Sequence, residues 1–226
     1  MEKNPRHPQK NQRANSQLME GMLVIISGPS GSGKGTVVKQ LDTALGYARS
    51  ISVTTREPRD GEVNGRDYFF TTEDAFIQMR QENALLEHAL FVGNYYGTPR
   101  RYVEEQIQHG KVVVLEIEVY GALQVKEKFP EAVLIFLMPP SFTELSNRLK
   151  GRNTENDVTI EARLKKSLEE IPFIDQYNYL VINDEIPLAV EKINTIVAAE
   201  RLKPKRCQDI IQEFSNSQVK MTHYKL

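Results

Sequence analysis

Met22-Leu23-Val24-Ile25-Ile26-Ser27-Gly28-Pro29-Ser30-Gly31-Ser32-Gly33-Lys34-Gly35-Thr36 decides the fold. The apolar run is too short to cross a bilayer and suits an interior parallel strand. It runs directly into a glycine-rich turn. Glycines at 28, 31 and 33 let the backbone take positive φ and curl its amides inward. Those amides, with the N-terminus of a following helix, form a nest for phosphate oxygens, and Lys34 supplies a point charge. The spacing Gly28 to Lys34 fits G-x-x-x-x-G-K-[ST], except that Gly35 takes the hydroxyl position and Thr36 follows it. Position 35 therefore gives no side-chain ligand to a metal. Mg²⁺, which dehydrates reluctantly, would rest on phosphates and water. The candidates for binding a nucleoside triphosphate are Gly28, Pro29, Ser30, Gly31, Ser32, Gly33, Lys34, Gly35 and Thr36.

Outward from this stretch, apolar strands at 112–117, 132–138 and 179–182 alternate with helical patterns at 121–128, 141–150, about 157–171 and 187–202. Buried strands alternating with helices imply an α/β fold, a parallel sheet covered by helices on both faces. Residues 51–96 differ, with short strands and polar loops, and read as a small α+β insertion. Within it Tyr68-Phe69-Phe70 reads as a strand, Thr72 as the cap of a helix to Gln81, 85–91 as a strand and 93–97 as a loop. Pro99 opens a helix ending before Gly110. The expected division is a polar, disordered tail at 1–20, a domain at 21–202 with its core at 21–50 and 97–202, a helical lid at 148–166, and a loose tail at 203–226.

The 226 residues carry 29 Lys and Arg against 30 Asp and Glu, a formal charge of −1. No global field favours nucleic acid or an anionic membrane, so neither is an expected partner. The lone Cys207 has no internal disulfide partner, which fits a reducing cytoplasm. His7, His88, His109 and His223 show no metal-ligand spacing. Residues 1–20 lack the apolar segment of a secretory signal.

The second informative block is Ser52 to Tyr68, SVTTREPRDGEVNGRDY. Arg56 and Arg59 stand three apart around Pro58. Two guanidinium forks and a tyrosine hydroxyl can clamp a phosphate dianion; the same residues also suit a solvated, salt-bridged loop.

With Gly28–Thr36, Gly93–Pro99 and Arg148–Glu155, this block resembles the guanylate kinases, over about Met22 to Arg201. The resemblance implies a P-loop NTPase-type sheet with a GMP-binding insertion and a lid. It implies phosphorylation of GMP, and dGMP, by ATP with Mg²⁺, within purine nucleotide metabolism. It assigns the acceptor phosphate to Ser52, Arg56, Arg59, Tyr68 and Tyr96, and guanine to Glu87, Thr98 and Glu118. A carboxylate accepts from guanine N1–H and the 2-amino group, and a hydroxyl such as Thr98 can donate to O6. Glu116 matches a carboxylate near the magnesium. Arg148, Arg152 and Arg163 resemble lid arginines over the ATP phosphates, and Asn183 a residue near adenine. The expected catalytic set is Lys34, Arg56, Arg152 and Arg163. Glu118, Val119 and Tyr120 depart from the family pattern, which carries Asp at position 118; the extra methylene lengthens the reach by about 1.5 Å. Two alternatives stay open: a non-catalytic binding module of the same fold, and a kinase for another phosphorylated acceptor. Monomer and homo-oligomer are both open.

Overall fold

The computed structural model describes residues 21–41, 46–91, 93–151 and 157–221. In chain order the strands are β1 (Met22–Ser27), β2 (Tyr47–Arg49), β3 (Val53–Thr54), β4 (Phe69–Phe70), β5 (Leu85–Phe91), β6 (Asn94–Pro99), β7 (Val112–Glu116), β8 (Val133–Met138) and β9 (Tyr179–Ile182). The helices are α1 (Lys34–Gln40), α2 (Glu73–Gln81), α3 (Arg100–Gln108), α4 (Val119–Lys128), α5 (Phe142–Lys150), α6 (Asp157–Glu170), α7 (Ile186–Arg201) and α8 (Gln208–Met221).

Five strands form one sheet in the order β2-β7-β1-β8-β9, every pair parallel. β1 lies at its centre and is buried throughout. Successive side chains of a strand point to opposite faces, and the core divides accordingly. Met22, Val24 and Ile26 pack with Val37 of α1 and Ile193 of α7. Leu23 and Ile25 pack with Val103 of α3 and Val125 of α4 on the other face. Burial on both faces explains the unbroken apolar run.

The insertion is a second sheet, β4-β3-β6-β5, with its own small core of Val53, Phe76 and Leu85. Thr72 caps α2 as expected, its hydroxyl accepting from the Ala75 amide. Ser141 caps α5 through the Glu144 amide. α5 and α6 meet through Leu145, Leu149 and Ile160.

Two expectations are corrected. The loop expected at 93–97 is mostly strand: β6 pairs antiparallel with β5, closing a hairpin. Its tyrosines suit a pleated surface better than a loop. The tail expected to be loose carries a 3₁₀ turn at Pro204–Arg206 and then α8. Ile210, Ile211 and Phe214 recur at helical spacing there. The tail at 1–20 and the polar stretch at 152–156, with Arg152, lie outside the described residues. Among the described residues no helix is long and apolar enough to cross a membrane.

Candidate active site

β1 delivers the chain into the loop that precedes α1. Gly28, Gly31 and Gly33 have φ of 141°, 92° and 90°. Gly28 is also sterically obligatory, since a Cβ there would lie 2.1 Å from the Leu137 carbonyl oxygen. Pro29 and Ser32 are buried and Ser30 is partly so; the Ser32 amide closes the turn on the Pro29 carbonyl at 3.1 Å. Lys34 Nζ donates to the carbonyls of Gly28 (2.6 Å) and Pro29 (3.1 Å), so the ammonium is folded over its own loop. Burial pulls its pKa below the ordinary lysine value, against the pull of Glu118, Glu116 and Glu170.

Gly35, in the hydroxyl position, lies against Glu116. A Cβ at Gly35 would stand 3.1 Å from Glu116 Oε1. Glu116 ends β7, paired in register with Ile26 just before the loop. The carboxylate end of Glu116 thus lies close beside position 35, where a side chain would require it to shift by a few tenths of an ångström. Thr36 lies exposed in the first turn of α1.

Asn183, at the end of β9, is fully buried beneath the loop. Its Nδ2 donates to the Ser32 carbonyl at 2.8 Å. The structure therefore makes it a strut under the phosphate loop. Arg163 of α6 reaches the loop from above, Nη1 to Ser30 Oγ at 3.2 Å. Arg148 is held by Glu144 at 2.7 Å and extends toward the Asp184 carbonyl.

Beyond Glu116 opens a polar cleft of about 710 Å³ between the parallel sheet and the insertion. Gly35, Glu116, Ser52, Glu62 and Tyr68 all line it. Arg56 stands beside the lining residues Glu62 and Tyr68, its guanidinium carbon 5.4 Å from the Tyr68 ring centre and 5.9 Å from that of Phe70, the two rings being 5.9 Å apart on one side of it. Its Nη2 meets both oxygens of Glu62 at 2.9 Å. Tyr96 meets Tyr68 edge-on at 6.1 Å and also interacts with Arg56. Arg59 points outward, its backbone amide bonded to Glu62 at 2.8 Å. Arg56, Tyr68 and Tyr96 are thus brought together, with Ser52 along the same cleft, and Arg59 stands at its rim.

Glu87 sits where the β5–β6 register shifts, between the Leu85–Pro99 and His88–Gly97 pairs. Such irregularities re-aim a side chain, and this one turns a carboxylate inward. Thr98 Oγ1 donates to Glu87 Oε1 at 2.7 Å, both groups buried. The Thr98 proton is therefore spent on Glu87, and donation to guanine O6 requires the hydroxyl to rotate. Glu87 Oε2 approaches Gly121 of α4. Burial raises the Glu87 pKa to about 6, while the Thr98 bond and Lys128 oppose the rise. Glu118, at the N-cap of the same helix, is half-exposed and bonded to Lys166 at 3.0 Å.

Sequence reasoning missed Glu62 and Lys166. Glu62 lay inside the quoted block, six residues from Arg56, but nothing in that spacing assigns it. Lys166 is 48 residues from its partner, and only the folded chain joins them.

One cleft thus runs from Gly35 of the glycine-rich loop, past Glu116, to Ser52, Glu62 and Tyr68 of the insertion. Comparison with known proteins agrees. The family model described as guanylate kinase matches residues 20–200. The guanylate kinase of Bacillus subtilis (strain 168) is 57% identical over 190 residues, 82% of this chain and 92% of that protein. That of Caldanaerobacter subterraneus subsp. tengcongensis is 50% identical over 192 residues, 84% and 93% of the two chains. The crystal structure of guanylate kinase from Anaplasma phagocytophilum superposes with a TM-score of 0.66 at 32% identity, covering 83% of this chain and 90% of that one. A phosphate loop opening through Glu116 onto an arginine-and-tyrosine cleft, and a family model spanning nearly the whole described domain, place this chain in the guanylate kinase family.

Proposed function

We infer that the protein transfers the γ-phosphoryl group of ATP to GMP, and to dGMP, giving ADP and GDP or dGDP. The observation that carries this is the single cleft running from Gly35 and Glu116 to Ser52, Glu62 and Tyr68. Its lining, from the loop residue Gly35 to Tyr68 of the insertion, supports reading the loop as the donor-phosphate nest and the Arg56 cluster as the acceptor clamp.

The donor binds on the loop amides and Lys34, which turns from the Gly28 and Pro29 carbonyls to the phosphates. The acceptor phosphate replaces Glu62 on Arg56 and is flanked by Tyr68, Tyr96, Ser52 and Arg59. Glu87 accepts from N1–H and the 2-amino group of guanine, with Thr98 and Glu118 at the base. A site built on such hydrogen bonds rejects analogues lacking them, by about 10⁴-fold in favourable cases. In the transfer step a bond forms between an acceptor phosphate oxygen and the γ-phosphorus as the bond to the ADP oxygen breaks. The acceptor oxygen is already a competent nucleophile, so no covalent protein intermediate is required. Charge spreads over the moving group, and Lys34, Arg56, Arg163 and Arg152 neutralise it, with Arg148 supporting the lid side.

Mg²⁺ fits the donor set. Glu116 offers a hard carboxylate oxygen beside the loop, where Gly35 offers none. Bound with ATP, the ion supplies charge neutralisation on the phosphates. The lone Cys207 fits a cytoplasmic location.

The test is a coupled assay of ADP formation with GMP, dGMP, AMP, UMP and CMP as acceptors, beside a titration of Mg-ATP binding. GMP and dGMP are expected to turn over and the others to lag far behind. Turnover with another monophosphate but not GMP would overturn the acceptor, and absence of Mg-ATP binding would favour a non-catalytic module.

A further inference from the structure

Glu118 and Tyr120, two departures from the family pattern, both meet the base of the lid. Lys166 of α6 donates to Glu118 Oε2 at 3.0 Å. Tyr120 packs edge-on against Phe173, ring centres 5.4 Å apart. Lys126 of the same α4 reaches the Gln176 carbonyl. The start of α4 is therefore joined to α6 by Glu118 and, through Tyr120, to the 3₁₀ helix at Ile171–Gln176, and its last turn reaches the same 3₁₀ helix through Lys126.

We propose that Lys166 is a positioning residue for acceptor recognition, holding Oε2 of Glu118 so that Oε1 is presented to the guanine edge. This rests on the reading above that Glu118 faces the base. The extra methylene of a glutamate adds a rotatable bond, and the side chain is 50% exposed, so an untethered carboxylate would lose orientational freedom on binding. Lys166 removes that freedom beforehand. Its ammonium is steadied from the other side by Glu170, whose Oε1 lies 3.9 Å away. Glu170 is 1% exposed and Oε1 has no hydrogen-bond partner; burial, with Glu118 nearby, raises its pKa to about 7, so it is a partial counter-charge near neutral pH and the main tether of Lys166 is Glu118.

The aim is consistent with the position of Glu87. Oε2 of Glu87 lies against Gly121, one helical turn beyond Glu118, so the two carboxylates border the same turn of α4. The consequence reaches further than one bond. Arg163 touches Ser30 in the donor loop, and Lys166 stands three residues along the same helix. One face of α6 thus contacts the donor loop and the acceptor reader together, and a lid displacement would move both.

The test is steady-state kinetics, with ATP and GMP varied separately, on K166M, K166R, E118A and the K166M/E118A pair, with melting curves as a check on folding. K166M is expected to raise KM for GMP about two- to fivefold, the scale of a half-exposed ion pair, with KM for ATP unchanged. K166R should restore it. E118A should raise KM for GMP further, and adding K166M to it should change nothing. An equal K166M penalty with and without Glu118, or none in the otherwise unchanged enzyme while E118A is impaired, would overturn the proposal. No effect of E118A on KM for GMP would instead overturn the reading of Glu118 beneath it.

Discussion

Glu87 is placed where function is served at the expense of stability, and Glu87→Gln separates the two. The carboxyl is 6% exposed, and burial lifts its pKa from 4.5 to about 6. A carboxyl raised in the folded state leaves stability intact below its unfolded value and lowers it as pH climbs through the folded one. Here the loss sets in from about 4.5 and is complete above about 6, reaching about 2 kcal/mol. Glutamine keeps an acceptor for the Thr98 hydroxyl and carries no charge to desolvate. E87Q is therefore expected to melt about 4–8 °C higher than the unmodified protein at pH 7.5. At pH 5 much of the cost is already relieved, and the advantage should shrink by about 1 kcal/mol. Paired calorimetric scans at the two pH values measure this directly. In the same variant the carboxamide offers one acceptor where guanine presents two donors. kcat/KM for GMP should fall about 10- to 100-fold, with KM for ATP unchanged. An E87Q protein less stable at pH 7.5, or shifted equally at both pH values, would refute the account of Glu87 as a desolvated charge.

Gly28→Ala should cost about 3–5 kcal/mol and remove Mg-ATP binding, because its Cβ would meet a backbone oxygen at 2.1 Å with φ at 141°. Denaturant unfolding checks it, and a change below about 1 kcal/mol would contradict the contact. Asn183→Ala should cost about 1–3 kcal/mol by leaving the buried Ser32 carbonyl unpaired. It should also raise KM for ATP while sparing KM for GMP, and a rise confined to GMP would argue against its role as a strut.

The parts legible in the sequence are those fixed by local rules. β1 was readable because an unbroken apolar run admits few alternatives, and the loop because Gly28, Gly31 and Gly33 sit where positive φ is needed. The Thr72 cap was readable because a cap acts within four residues. Arg56, Tyr68 and Tyr96 were marked by the family pattern, and their convergence appears only once β3 pairs with β6. What escaped depends on register and on distant pairing. The irregularity at Glu87 is a property of two strands, visible in neither alone. Thr98 as a donor to Glu87, and Lys166 to Glu118, follow from side chains meeting across 11 and 48 residues. α8 was missed because polar residues outnumber the apolar ones in its stretch, although their spacing is helical.

A pocket for two polyanionic substrates should be crowded with unpaired cations, yet in this structure its carboxylates lie beside them. Glu62 holds Arg56, Glu118 holds Lys166, and Glu116 stands 3.6 Å from Arg49. A free Arg56 against Tyr68 and Phe70, partly desolvated, would be costly, and Glu62 offsets that cost while no phosphate is bound. Side chains 14% and 20% exposed are screened too little for the pair to be neutral in effect, and enough for water to take over the displaced carboxylate. A phosphate dianion brings more charge than Glu62 and can win the guanidinium. Glu116 has no such exchange available: an ATP phosphate entering the loop brings negative charge toward it, and the 57% exposed Arg49 is a weak counterweight. That imbalance is the physical ground for expecting a divalent cation between Glu116 and the donor phosphates. It makes Glu116→Gln a discriminating variant: the mutation should weaken the Mg²⁺ dependence of ATP binding and leave metal-free nucleotide binding the same or tighter.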